Sequence, residues 1–100
     1  MPNSNGKKIY LVFACDAWKS RDSMRLRMAT SSLRKLRMFV QKQISDEAMS
    51  YGDDDRRTPA AESALFRKDF NDTDETDDFR NINGQLKYGF IDWIRDGEEV

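Results

Sequence analysis

Ile9, Leu11, Phe13 and Cys15 alternate with Tyr10, Val12 and Ala14, so an extended chain here is apolar on both faces. That pattern predicts a central strand over 9–15, covered on both sides or partnered by another layer. Asp16 ends it, and residues 16–22 are polar apart from Ala17 and Trp18. Beyond them Met24, Leu26 and Met28 alternate with Arg25 and Arg27. This is the period of a half-buried strand over 23–29 with a wet, basic face. A connection of about seven residues suits an antiparallel hairpin, though it exceeds the favoured two-residue turns. Ile9, Leu11, Phe13, Met24, Leu26 and Met28 are the core expected from this hairpin.

The period then changes. Thr30-Ser31-Ser32 offers hydroxyls to cap the free amides of a helix start. Leu33, Leu36, Phe39, Val40 and Ile44 follow helical spacing, which predicts a helix over 31–45. Residues 48–51 read as a short strand ending at Gly52, and 52–58 as an acidic loop. Thr58-Pro59 fits the cap and first position of a second helix, since proline lacks an amide that would be unpaired there. That helix is expected over 60–70, with Ala61, Ala64, Leu65, Phe66 and Phe70 inward. A second acidic loop follows at 71–78, and a strand is predicted over 86–94. The tails at 1–7 and 96–100 are expected to be disordered. The chain reads as one α+β domain: a small two-layer structure with a mainly antiparallel sheet of three or four strands. The element order is β-β-α-(β)-α-β, with both helices on one face.

Composition narrows the setting. One hundred residues make one small domain with a modest core. No apolar run approaches the roughly 20 residues of a membrane span. The apolar stretch after Lys8 is too short for a signal peptide, so a cytoplasmic chain, and no membrane partner, is expected. The single cysteine, Cys15, cannot form an internal disulfide and suits a reducing compartment.

The net charge of −1 hides an asymmetry. Residues 1–44 carry ten Lys/Arg and two Asp/Glu, a net of +8. Residues 45–100 carry seven and sixteen, a net of −9. Either the halves neutralise each other in the fold, or the molecule has a basic and an acidic face for partners.

The absence of histidine removes histidine nucleophile pairs, general bases and metal sites. One cysteine cannot build a zinc or iron–sulfur site, and no glycine-rich phosphate loop is present, so no cofactor is expected. Asp72, Asp74, Glu75, Asp77 and Asp78 lack the turn glycine and spacing of an EF-hand. Asp16 and Asp92, both near expected strand ends, form a conceivable Mg²⁺ pair, and Lys19-Ser20 a conceivable nucleophile pair. Cys15 reads as a small buried hydrophobe. Asp16, Trp18, Lys19, Ser20, Arg21, Asp22, Arg25 and Arg27 form the leading candidate binding surface. An aromatic among arginines suits base stacking with phosphate contacts, although the signature of an RNA-recognition domain is missing. The alternative is that Trp18 folds onto the core and the arginines pair with the acidic half. Asp53, Asp54, Asp55, Asp74, Glu75, Asp77 and Asp78 offer a second surface, able to imitate nucleic-acid phosphates.

The segments Cys15-Asp-Ala-Trp-Lys-Ser-Arg-Asp-Ser-Met-Arg-Leu26 and Leu86-Lys-Tyr-Gly-Phe-Ile91 resemble short proteins carried by bacteriophages and prophages of gut bacteria. The resemblance brings no catalytic residues. It implies a non-enzymatic interaction protein in a bacterial host. The partner would be a host protein or protein–nucleic acid complex, as for inhibitors of host defence such as anti-CRISPR proteins. A nucleotide or single-stranded nucleic-acid module and a carboxylate-dependent enzyme are the other two readings. Exposed strand edges also leave a homodimer open.

Overall fold

The computed structural model describes residues 8–54, 56–72 and 79–95. The tails at 1–7 and 96–100, together with Asp55 and the acidic stretch 73–78, lie outside the described residues. The architecture is α+β, with one three-stranded and one two-stranded antiparallel sheet and two main helices packed together. No helix among the described residues is long and apolar enough to cross a membrane.

Strand β1 (Lys8–Ala14) is central, flanked by β2 (Arg25–Thr30) and β5 (Gly89–Arg95) in the order β2-β1-β5. Helix α1 (Leu33–Ser45) starts at Ser32, whose hydroxyl accepts the Lys35 amide at 3.2 Å. It ends where Glu47 turns left-handed at φ 64°. Helix α2 (Pro59–Asp72) starts as expected after Thr58, whose hydroxyl accepts the Ala61 amide at 3.1 Å. β3 (Ser50–Tyr51) pairs with β4 (Leu86–Lys87). α1 packs on β1 and β2, while α2 packs on α1 and β3.

On α2, Ala61 and Ala64, expected inward, are exposed, and Ser63 is buried with Phe66 and Phe70. Three further differences from the sequence reading have local causes. The strand expected over 86–94 breaks at Tyr88, which takes φ 66°. The break reverses the alternation, so Leu86 and Ile91 are both buried. It also sends β4 to β3 and β5 to β1. Helix α3 (Arg80–Gln85) was not legible, because 79–85 holds only two apolar residues among turn formers. Finally, the hairpin core is assigned to the wrong face. Tyr10 and Val12 are buried with Ile91, whereas Ile9, Leu11 and Phe13 are only partly buried on the opposite face, with Phe90 and Ile94. The register between β1 and β2 skips Arg27: Val12 faces Met28, but Phe13 faces Leu26. That bulge puts Leu26 on the opposite face from Met28 and leaves it 56% exposed.

The core lies between the sheet and the helices. Leu36, Val40 and Ile44 of α1 meet Tyr10, Val12 and Ile91 there. A chain of rings runs through it. Tyr51 meets Phe66 edge-on at 5.4 Å, and Phe66 meets Phe70 at 5.5 Å. Phe70 stacks on Phe79 at 6.1 Å, and Phe79 meets Tyr10 edge-on at 5.9 Å. The Tyr51 hydroxyl donates to Asp69 at 2.7 Å; burial first, then this carboxylate, pushes its pKa up.

Phe66 is fully buried between two rings. Phe66→Ala is expected to lower the unfolding free energy by about 3–5 kcal/mol. Leu26→Ala on the open face is expected to cost less than about 0.5 kcal/mol. Urea denaturation of the two variants checks both values.

Candidate functional site

The connection between β1 and β2 is folded by its own polar residues. Beyond Ala14, the Cys15 amide donates to the Tyr88 carbonyl at 3.1 Å, anchoring the loop to the strand break. The Asp16 carboxylate then gathers three donors. It accepts the Trp18 amide at 3.1 Å, the Ser20 amide at 3.0 Å and the Ser20 hydroxyl at 2.7 Å. The Asp16 amide in turn donates to the Ser23 hydroxyl oxygen at 3.0 Å, and that hydroxyl donates to the Ser20 carbonyl at 2.8 Å. Lys19 adopts φ 54° to make the turn, and its ammonium donates to the Leu86 carbonyl. A single 3-10 turn, Arg21–Ser23, returns the chain to β2.

Three of the sequence candidates are thereby accounted for. Asp16, Lys19 and Ser20 form the scaffold of the loop, as does Ser23, which sequence reasoning did not single out. The Lys19-Ser20 nucleophile pair is not assembled, since Lys19 reaches Leu86 and Ser20 donates to Asp16. Asp92 faces Leu11 in the sheet register, five positions before Asp16. At about 3.3 Å per residue that is ~16 Å along the strand, so the two carboxylates do not form a metal pair. Among the described residues no group of three or more acidic or cysteine side chains is placed to hold a metal. The Cys15 thiol is partly buried, and burial pushes its pKa up, against a reactive thiolate.

Trp18 stands apart. It does not fold onto the core; it is 85% exposed at the tip of the hydrogen-bonded turn. Arg21, Asp22, Arg25 and Arg27, which follow it in the chain, are also exposed. None of these arginines belongs to an ion pair among the described residues, which are Lys42–Asp46, Arg56–Asp54 and Lys87–Asp53. No described acidic side chain pairs with this basic surface. Of the second expected surface, Asp53 pairs with Lys87 at 3.6 Å, and Asp54 accepts the Arg56 amide at 3.0 Å. That amide, followed by the Arg56 side chain, lowers the pKa of Asp54. Asp55, Asp74, Glu75, Asp77 and Asp78 lie outside the described residues.

Among the described residues, two further clefts lie elsewhere. One, of about 400 Å³, has Glu47, Arg57, Glu62 and Lys87 on its wall. Its polar groups are partly spent on the fold, as Glu62 accepts the Tyr51 amide and Lys87 pairs with Asp53. The other, of about 470 Å³, is an open groove between α1 and α2. No protein-family model, characterised protein or solved structure matches this chain.

The carboxyl of Asp16 is held below its usual value, first by the Ser20 amide and then by the Ser20 hydroxyl. A lowered folded pKa means that its contribution is complete above the ordinary aspartate value of about 3.9. It is lost as the pH falls through the lower folded value. The Trp18 and Ser20 amide resonances are therefore expected to titrate together below the normal aspartate range. In Asp16→Ala they are expected to move toward unstructured positions at neutral pH and to stop titrating.

Proposed function

We propose that this chain is a non-enzymatic binding protein that docks onto a host protein through the loop at 16–23, with Trp18 as its anchor. The observation that carries the reading is the 85% exposure of Trp18 on a turn already fixed by hydrogen bonds. A tryptophan held in water presents a large apolar surface that only a partner can bury, and tryptophan is enriched among residues that dominate interfaces. A pre-organised loop also loses little conformational freedom on binding. The resemblance of 15–26 and 86–91 to bacteriophage proteins supports a bacterial host partner, such as a component of a defence or nucleic-acid-handling complex.

A second reading has its own support. The exposed Arg21, Arg25 and Arg27, outside the described ion pairs, suit single-stranded nucleic acid with Trp18 as a stacking platform.

One comparison separates the readings. The tagged chain is expected to retain a stoichiometric host protein, and Trp18→Ala to weaken that binding about 30-fold or more at unchanged melting temperature. Equal retention by both forms would remove Trp18 from the interface. Retention of single-stranded RNA or DNA at low salt, with a steep negative salt dependence, would favour the second reading instead.

A further inference from the structure

The two edges of the three-stranded sheet are treated differently. On the β5 side, the Asn83 side chain acts as a substitute strand. Its amide nitrogen donates to the Ile91 carbonyl at 2.8 Å, and its oxygen accepts the Ile91 amide at 2.8 Å. The next outward amide, that of Trp93, donates to the Asp92 carboxylate at 2.8 Å. This edge is closed to another chain by side chains of its own neighbourhood.

Among the described residues, the β2 edge has no such cover. Ile91 directs its backbone groups at Asn83, so Val12 opposite it must direct its own toward β2. Alternation then turns the N–H and C=O of Ala29 and, across the bulge, of Leu26 away from β1. Among the described residues nothing hydrogen-bonds to them. Arg25, Leu26, Arg27 and Ala29 are exposed along this strand. Arg21 enters from the preceding turn.

The geometry points to β2 as a docking edge for an extended acidic segment of a partner protein, which adds as a fourth strand. This rests on the reading that the partner is a protein, and specifies the chemistry of its docking segment. Main-chain bonds to an open edge give affinity, and side-chain pairs give selectivity. The bulge divides the edge into two short pairing sites, so main-chain bonds alone are few. Opposite charges against Arg25 and Arg27 supply the remainder. The same features argue against a second copy of this chain. Pairing β2 with β2 would gather Arg25 and Arg27 of both chains, four like charges, on one ribbon. Pairing β2 with β5 is obstructed by Asn83. An added strand would also extend the face that carries Phe13, Leu26 and Phe90, and shelter Leu26 from water.

The test uses the full chain and two blocked eight-residue peptides, alternating Glu with Val or Lys with Val. The Glu–Val peptide is expected to slow hydrogen exchange at the Ala29 amide and shift the Arg25–Thr30 resonances, while leaving Ile91 unchanged. Arg25→Glu combined with Arg27→Glu is expected to weaken that peptide about tenfold or more and to transfer preference to Lys–Val. Ala29→Pro, which removes an outward amide, is expected to abolish the peptide-induced shifts of the other Arg25–Thr30 resonances; the charge-reversed chain keeps the test decisive if this variant does not fold. Equal binding of the two peptides would overturn the proposal. So would shifts confined to β5 or the 16–23 loop, or displacement of the Glu–Val peptide's effect by an uncharged Ser–Val peptide of equal affinity. Trp18→Ala is expected to leave the exchange of Ala29 with bound Glu–Val peptide unaltered. A host partner lost by Trp18→Ala but retained by the charge-reversed chain would overturn the edge proposal while leaving Trp18 as the anchor.

Discussion

The contact on which the rest of this structure depends is the run of rings from Tyr51 through Phe66, Phe70 and Phe79 to Tyr10. It is a continuous set of ring contacts that passes from the small sheet, through α2 and the start of α3, into the main sheet. Each pair contributes ~0.5–1.5 kcal/mol beyond its buried area. The larger effect is geometric. Close-packed rings fix how far the two sheets stand apart, and a buried ring cannot shift without opening a cavity. Phe79 even holds a left-handed backbone at φ 61° while its ring sits between Phe70 and Tyr10. Local strain at that residue is offset by the packing its position makes available.

Fixing the sheets has a consequence at the loop. The 16–23 connection is tied to the β4–β5 break through Cys15 to Tyr88 and Lys19 to Leu86. Those carbonyls stand where they do because Leu86 and Ile91 are both locked into the core. Within the loop, Asp16 supplies the negative charge that collects amides and a hydroxyl. The result is a rigid turn that lifts Trp18 away from the protein rather than tucking it in. A flexible connection of the same composition would let the indole fold back onto the nearest apolar surface, because burial of that side chain is favourable.

Charge follows the same geometry. Among the described residues, no acidic side chain of the second half forms an ion pair with Arg21, Arg25 or Arg27. The described ion pairs lie at α1, at the 53–56 turn and on β4, and two of them are local in sequence. Exposed pairs of this kind contribute little to stability. Among the described residues, Arg21, Arg25 and Arg27 are thus outside the ion pairs. The arginines and the bulge of β2 also discourage pairing with a like-charged strand.

Periodicity by itself determined the α+β class, the helices after Ser32 and Thr58, the first two strands and the short β3. These follow from local rules: which side chains can share a face and which residues can cap an amide. It also placed the candidate surface on 16–27, since polar residues between two apolar runs have nowhere to hide. Tertiary structure decided what alternation cannot encode. A bulge at Arg27 and a left-handed Tyr88 each change the parity of a strand, so the faces of Leu26 and Ile91 could not be read from spacing. Helix α3 exists because Phe79 and Ile82 find a core to fill, not because its own residues favour a helix. Whether Trp18 covered the core or faced water depended on a hydrogen-bonded turn. Which sheet edge is capped by a side chain depended on Asn83, a residue that carries no signal until Ile91 is brought beside it.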